Sequence, residues 1–266
     1  MNSWHFDHAQ IASWAQFSGD FNPIHFDIEK AMQAGSRSII VHGMLPLLHV
    51  KQDIANRHDE SDSWNQWLNI KCRLKSPLLR DARHEYMVRE LGQKGKFSIR
   101  PIGKKEDLVQ GTFSAEETIE PGIDTGEITL DSAMIGDRLA QFSRLFPEID
   151  YLWIAIDSLV FSRFLESEIP FVLARENNMV RDARNQVELM NKALTIQTFH
   201  SVQISPELLR KSVRSQRDIK SIKIKLGQPV SVKNNDSELL GSHTLEIYLN
   251  GEFSMRSEIG LMLKLN

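Results

Sequence analysis

Apolar residues recur at three- and four-residue spacing near the start of the chain and at two-residue spacing beyond it, which predicts helices first and strands after. Asp7 is placed to cap a helix from about His8 to Phe17, with Ile11, Trp14 and Ala15 on one face and Gly19 to stop it. Pro23 keeps Asn22 out of helical geometry, so residues 19–26 read as a loop. Asp27 caps a short helix, Ile28 to Ala34. A longer helix begins near Gly43 and runs to about Asn56. Its Met44, Leu45, Leu47, Leu48, Val50 and Ile54 spread round most of the circumference, the pattern of a buried helix. Pro46 falls in the first turn, where a missing N–H costs little. The polar run from His58 to Ser63 reads as a loop.

Past that loop the period changes to two. Trp67–Lys75, His84–Leu91, Lys96–Ile102 and Leu108–Ile119 read as strands separated by turn residues, giving an α+β half in which an antiparallel sheet wraps a buried helix. Glu120-Pro121-Gly122-Ile123-Asp124-Thr125-Gly126 has the composition of a linker and divides the chain into residues 1–122 and 127–266. The order then repeats. Helices are expected over Asp131–Phe146 and Asp150–Leu165, a poorly patterned polar region over Arg175–Asn191, and strands at Lys192–Ile204, Ser221–Leu226, Val230–Lys233, His243–Leu249 and Glu252–Leu265. Two halves of equal size and equal order argue for a duplication, although no residue repeat is evident.

Composition narrows the function classes. A chain of 266 residues, 41% hydrophobic and 25% charged, is that of a soluble globular protein. A net charge of −3 argues against nucleic acid as a partner of the whole surface. Cys72, the sole cysteine, sits in an alternating run and reads as a strand residue. No signal peptide and no membrane span is apparent, so a cytoplasmic location is the expectation.

The candidate chemistry lies in the first loop. Asp20 and His25 flank Asn22-Pro23, and a carboxylate and an imidazole held on one rigid loop can take a proton from one atom and deliver it to another. From spacing alone, a turn-capping Asp20 and an ordinary surface His25 remain open. The run Phe17-Ser18-Gly19-Asp20-Phe21-Asn22-Pro23-Ile24-His25, followed by Ala31 and by Ile40-Val41-His42-Gly43-Met44-Leu45, resembles the signature of MaoC-like (R)-specific enoyl-CoA hydratases. The likeness is close over residues 7–50. It continues loosely to Arg73-Leu74-Lys75-Ser76-Pro77-Leu78 and Asp81.

That resemblance implies a double hot-dog fold. It implies hydration or dehydration between a trans-2-enoyl thioester and its (R)-3-hydroxyacyl form, with Asp20 and His25 as the catalytic pair and the Gly43 amide on the thioester carbonyl. The carbonyl role fits Gly43 physically, because unpaired N–H groups at a helix N-terminus favour developing negative charge. Asn22, Pro23, His42 and Met44 are expected to shape the substrate site. No cofactor and no metal is implied, since the histidine spacings match no common zinc pattern. The expected partner is an acyl-CoA or an acyl-carrier-protein thioester, with no nucleic acid and no membrane, in a monomeric double hot dog or a homodimer. The second half has neither motif and is expected to be catalytically silent.

Some features stand outside this frame. Lys51 occupies a position of the long helix where some members of that family place a small hydroxyl residue near the site. Arg210, Lys211, Arg214, Arg217, Lys220, Lys223 and Lys225 form a basic stretch, either a solvated face or a docking surface for CoA phosphates or an acidic carrier protein. Trp64, Trp67 and Trp153 are expected in the core or the pocket wall. Two further readings stand beside the hydratase. One is a dehydratase dedicated to carrier-protein substrates of fatty-acid or polyketide synthesis, and the other is a non-catalytic acyl-binding subunit.

Overall fold

The computed structural model describes residues 2–59, 65–91, 93–123, 126–167, 169–177, 179–180, 184, 186–235 and 237–265. Strand β1 (Asn2–His5) leads into helix α1 (His8–Ser18). A 3-10 turn (Pro23–His25) and a short helix α2 (Ile28–Gln33) precede the long helix α3 (Met44–Asp59). Four strands follow: β2 (Trp67–Leu74), β3 (Arg83–Leu91), β4 (Lys94–Pro101) and β5 (Val109–Glu116). The second half opens with β6 (Glu127–Leu130), α4 (Ser132–Leu145) and α5 (Leu152–Glu166). It continues through α6 (Ile169–Glu176), α7 (Gln186–Lys192), β7 (Ala193–Ile204), α8 (Pro206–Leu209) and a 3-10 segment (Val213–Asp218). Strands β8 (Ile222–Leu226), β9 (Val230–Asn235), β10 (Glu238–Leu249) and β11 (Glu252–Leu265) complete it.

Local chemistry sets the helix ends near the site. Asp7 and Gln10 form a reciprocal capping box at the start of α1. Gly19, at φ 76°, ends that helix in the left-handed region and donates to the Ala15 carbonyl at 2.9 Å. Asp27 caps α2 through the Glu29 and Lys30 amides. Asp131 caps α4 through the Met134 amide.

The strands join into one antiparallel sheet in the order β1-β3-β4-β5-β2-β7-β11-β10-β8-β6, with β9 paired to β10. Reading outward from the β2–β7 junction, each half presents the same succession, so the two sheets are related about that seam. The seam runs from Leu68 opposite Ile204 to Arg73 opposite Phe199. Helices α3 and α5 pack beneath it in one shared core that also takes in Trp14, Phe17, Phe142 and Phe146. The fold is therefore the α+β double hot dog expected from the sequence. No described helix is long and apolar enough to cross a membrane.

A short residue repeat emerges once the halves are aligned by topology. Ser76-Pro77-Leu78-Leu79-Arg80 follows β2, and Ser205-Pro206-Glu207-Leu208-Leu209-Arg210 follows β7. A lone β-bridge joins the chain at or just after each segment to the chain entering the long helix, Leu79 with Ile40 and Ser212 with Tyr151. The sequence reading placed no strand at β1, started β10 at His243, and gave residues 175–191 no structure, whereas α6 ends at Glu176 and α7 occupies Gln186–Lys192.

Of the tryptophans, Trp153 is fully buried core and Trp67 stacks on Phe253 at 5.2 Å. Trp64 lies outside the described residues. Cys72 is buried in β2, as its alternating neighbourhood predicted, and burial pushes its thiol up to about 12.

Candidate active site

The loop between α1 and α3 folds inward because its short polar groups bond to their own backbone. The Ser18 hydroxyl accepts from the Asp20 amide at 3.1 Å, and Asp20 Oδ1 accepts from the Asn22 amide at 3.3 Å. Asn22 Oδ1 receives the Ile24 amide at the head of the 3-10 turn, while its Nδ2 donates to the Thr195 carbonyl of β7 at 2.9 Å. One residue thus caps the turn and ties the loop to the other half of the molecule. Pro23 takes the first position of that turn and sets its backbone, but it does not line the cavity.

These constraints bring Asp20 and His25 together. Asp20 Oδ2 stands 3.9 Å from His25 Nε2, and the two side chains are 14% and 7% exposed. The separation exceeds a direct hydrogen bond and leaves both groups addressing a common space. His25 Nδ1 donates to the Ile40 carbonyl at 2.7 Å, which fixes the tautomer and leaves the Nε2 lone pair free. Burial lowers the His25 pKa against the opposing attraction of Asp20, so the ring is neutral at pH 7.

His42 completes the arrangement in a way its sequence position did not announce. Its ring stacks on His25 with centroids 3.7 Å apart. Its Nε2 donates to the Asp20 backbone carbonyl at 2.9 Å, and its Nδ1 is buried without a partner. Burial, aided by the nearby His25, holds its pKa well below the ordinary value. A neutral His42 therefore clamps the Asp20 backbone and backs the His25 ring. One donor atom from each of Asp20, His25 and His42 lies within 4.8 Å of the others, a spacing that a divalent cation can bridge.

Asp20, Asn22, His25, His42, Gly43 and Met44 all line one cavity of about 290 Å³. Gly43 is the residue just before α3, and its N–H donates no hydrogen bond among the described residues. A Cβ at this position would come within 2.5 Å of Leu74 Cδ2 and 2.7 Å of Gln197 Oε1, so a larger residue would have to push aside the ends of these two side chains beside the amide.

The opposite wall comes from the second half: Phe161 and Leu165 of α5, Gln197 of β7, and Leu261 and Met262 of β11. These residues carry no motif. Only the pairing of β7 beside β2 places them at the site.

Lys51 does not line the cavity. Its ammonium is hydrogen-bonded to Asp157 of α5 and lies 3.2 Å from His200 Nε2 of β7, in a cluster that is 2% exposed or less. Asp157 also bonds His200 at 2.9 Å and accepts from Ser257 at 3.2 Å. Burial works against the Asp157 charge, but His200 and Lys51 outweigh it and hold the carboxyl far below the usual carboxylate range. The cluster bridges the two central helices and belongs to the seam.

The basic stretch also disperses. Lys223 pairs with Glu127 at 3.1 Å, Arg210 donates to Asn65 and Lys220 donates to the Arg217 carbonyl. Arg210 and Lys211 follow α8, Arg214 and Arg217 lie in the 3-10 segment, Lys220 precedes β8, and Lys223 and Lys225 lie on it.

Residues 2–100 match the family model of the MaoC like domain. Over 40 residues the chain is 48% identical to the mitochondrial 3-hydroxyacyl-[acyl-carrier-protein] dehydratase of Arabidopsis thaliana, a match covering 15% of this chain and 24% of that protein. The chain thus spans about a quarter of the length of the curated relative it matches. The dehydratase domain of RzxB from Pseudomonas fluorescens has a similar fold, with TM-score 0.51 at 9% identity over 85% of this chain and 86% of that one. The PpsC dehydratase domain from Mycobacterium tuberculosis, solved in complex with C12:1-CoA, gives TM-score 0.47 at 12% identity, covering 85% of each chain.

Proposed function

We propose that this protein interconverts a trans-2-enoyl thioester and its (R)-3-hydroxyacyl thioester, at a single site built on Asp20, His25 and the Gly43 amide. The observation that carries the reading is the convergence of an Asp20 oxygen and the free His25 Nε2 at 3.9 Å, inside an apolar cavity that also holds an unengaged helix-terminal N–H.

In the hydration direction a water sits between the two side chains, its hydrogens directed to Asp20 Oδ2 and to His25 Nε2. As the water oxygen bonds to Cβ, His25 takes one of its protons. The negative charge that collects on the thioester oxygen is met by the Gly43 N–H and by the N-terminus of α3. The imidazolium, formed 3.9 Å from the Asp20 carboxylate, then passes the same proton to Cα on the same face. The O–H bond broken in water and the Cα=Cβ π bond consumed are balanced by the C–O and C–H bonds formed, and the enzyme returns to its starting state. Dehydration is the reverse. His42 acts beneath this chemistry by holding the Asp20 backbone.

We infer that residues 1–122 carry this site and that residues 127–266 form a silent half whose α5, β7 and β11 side chains close the acyl pocket. A carrier-protein thioester is the second form of substrate considered. It is favoured by the activity for which the Arabidopsis relative is named and by a basic groove on the outer face of the sheet.

The test is crotonyl-CoA hydration followed by loss of enoyl absorbance, in wild type, Asp20→Asn and His25→Ala. Each variant is expected to lose at least about a hundredfold in kcat, as removal of a general acid–base group does. Unchanged turnover in both would overturn the assignment.

A further inference from the structure

The outer face of the first half's sheet carries a groove of about 640 Å³, on the side of the strands opposite the buried helix. Cross-strand register explains its character. Arg89 on β3 stands directly opposite Lys96 on β4, Lys96 opposite Thr112 on β5, and Thr112 opposite Lys71 on β2. In the next row Gln110 of β5 stands opposite Arg73 of β2, and Arg100 of β4 lines the same groove. The alternate residues Tyr86, Phe97, Val109 and Cys72 are buried, which leaves the cations on the solvent side.

Like charges placed directly opposite on neighbouring strands destabilise a sheet. Lys71, Arg73, Arg89 and Lys96 are exposed, and none has an ion pair among the described residues. The nearby acids are engaged elsewhere. Glu85 holds Arg100 at 2.7 Å, Glu90 holds Arg57 at 3.1 Å, and Glu116 accepts from Asn69 and Gln203. Asp107 is the one acid lining the groove, and Glu258 follows in the first row only beyond Ser201. On a chain whose net charge is −3, this is a local concentration of positive charge that the fold itself does not use.

We propose that this groove docks an acidic carrier protein that delivers the acyl thioester, a proposal that rests on the reading of the cavity as a thioester site. Four neighbouring strands set Arg89 and Lys71 roughly 14 Å apart. That is about the length of nine residues of a helix, along which acids at i, i+4 and i+7 share one face. A second copy of this chain is the wrong occupant, because a two-fold contact through this face sets cation against cation. The position also serves delivery. Strand β2 continues from Arg73 directly into Leu74, Lys75, Ser76 and Pro77, which line the catalytic cavity, so a carrier seated on the groove lies within a few residues of the pocket wall. The cations of the 210–225 stretch are dispersed by comparison.

The experiment uses the full chain and a purified holo acyl carrier protein of the fatty-acid type, labelled for fluorescence anisotropy. Arg89→Glu/Lys96→Glu, with Arg89→Gln/Lys96→Gln as the milder pair, is compared with wild type at low and high salt and in kinetics on crotonyl-carrier and crotonyl-CoA. Wild-type binding is expected to weaken with salt. The reversed pair is expected to raise the carrier Kd by at least about tenfold, with kcat and KM for crotonyl-CoA within about twofold of wild type.

An unchanged carrier Kd, or no carrier binding by wild type, overturns the proposal. So does a parallel rise in KM for crotonyl-CoA, which would make the groove a site for nucleotide phosphates. Tighter binding of a duplex oligonucleotide than of the carrier also overturns it. Because anisotropy does not depend on turnover, charge-dependent binding by a protein inactive on both thioesters would sink the catalytic reading alone. Turnover of crotonyl-CoA without charge-dependent carrier binding would sink the docking alone.

Discussion

Replacing Lys51 by methionine tests how the two halves are fastened. The substitution keeps an unbranched side chain one heavy atom shorter and removes one charge from a cluster in which Lys51 is 1% exposed and Asp157 fully buried. It leaves the Asp157 carboxylate with His200 at 2.9 Å and Ser257 at 3.2 Å, and no cation of permanent charge. Breaking one partner out of a buried ion pair costs about 3–5 kcal/mol, most of it the burden of the stranded charge. Asp157→Leu alone strands the ammonium and is expected to cost a similar amount. The double variant Lys51→Met/Asp157→Leu removes both charges from a volume that apolar side chains fill, so it should be no worse than either single variant. Urea unfolding at pH 7.5 reads these differences, with a coupling of about 3 kcal/mol or more expected from the cycle. Because Lys51 lies off the cavity, turnover of the folded single variant should stay within about threefold of wild type. A loss under about 1 kcal/mol for Lys51→Met, or simple additivity in the double variant, would refute the account of the cluster. A hundredfold fall in kcat at retained stability would instead place Lys51 in the site.

Other predictions are independent of that one. His42→Phe keeps a stacked ring but loses the bond to the Asp20 carbonyl. kcat for crotonyl-CoA should fall by about a hundredfold with little change in KM, as expected when a catalytic group is displaced. Gly43→Ala sets a Cβ against the ends of the Leu74 and Gln197 side chains, which can turn aside, so it should cost under about 1 kcal/mol in chemical denaturation while crowding the amide and lowering turnover.

Zinc added to the metal-free protein should inhibit by bridging Asp20, His25 and His42, and chelation should reverse it. A His42→Phe background in which zinc inhibits equally well would exclude that site. His243 is buried with neither ring nitrogen partnered among the described residues, and desolvation lowers its pKa from 6.5 to about 4. Its neutral form is the folded form, so stability is full above pH 6.5 and falls as pH drops from 6.5 toward 4. The difference corresponds to at most about 3 kcal/mol at 1.36 kcal/mol per tenfold change in proton affinity. His243→Phe should flatten that part of the stability profile, and an unaltered slope would count against it.

The half of the site that lies within one loop and one helix end was legible in the sequence, because its signals are local. Asn22 and Pro23 determine the turn, Gly19 and Asp27 bound it, and Gly43 opens a helix whose apolar circumference marks it as buried. The wall contributed by Phe161, Leu165, Gln197 and Leu261 was not, since its position depends on the register of β7 against β2. The same is true of Lys51 and Asp157, which meet across 106 residues of chain with no local trace. The basic row escaped notice for a related reason. Its members are spread over three strands, while the stretch conspicuous in the sequence, 210–225, scatters in space. Strand β1 is too short for a period to register, and Gly241-Ser242 breaks the alternation that would have extended β10 to Glu238.

The duplication explains why one site is expected rather than two. In the first half, residues 19–43 separate α1 from α3 and supply the whole loop that bears Asp20 and His25. In the second, only residues 146–151 separate α4 from α5, too few to hold an equivalent loop. The helix termini differ as well. Before α3 stands Gly43 with an unengaged amide, whereas Tyr151 stands before α5 and the first α5 amide, that of Leu152, already donates to the Lys211 carbonyl at 2.9 Å. Val213 closes the same corner by donating to the Asp150 carbonyl at 2.6 Å. Among the described residues neither the loop nor the glycine has a counterpart there, and the first amide of α5 is already engaged. The same helix is apolar on every side, with thirteen of its fifteen residues buried, and it presents Phe161 and Leu165 to the other half's cavity. On the proposed reading, the second half serves as the wall against which an acyl chain is held. That division of labour is what supports assigning the chemistry to the first half alone.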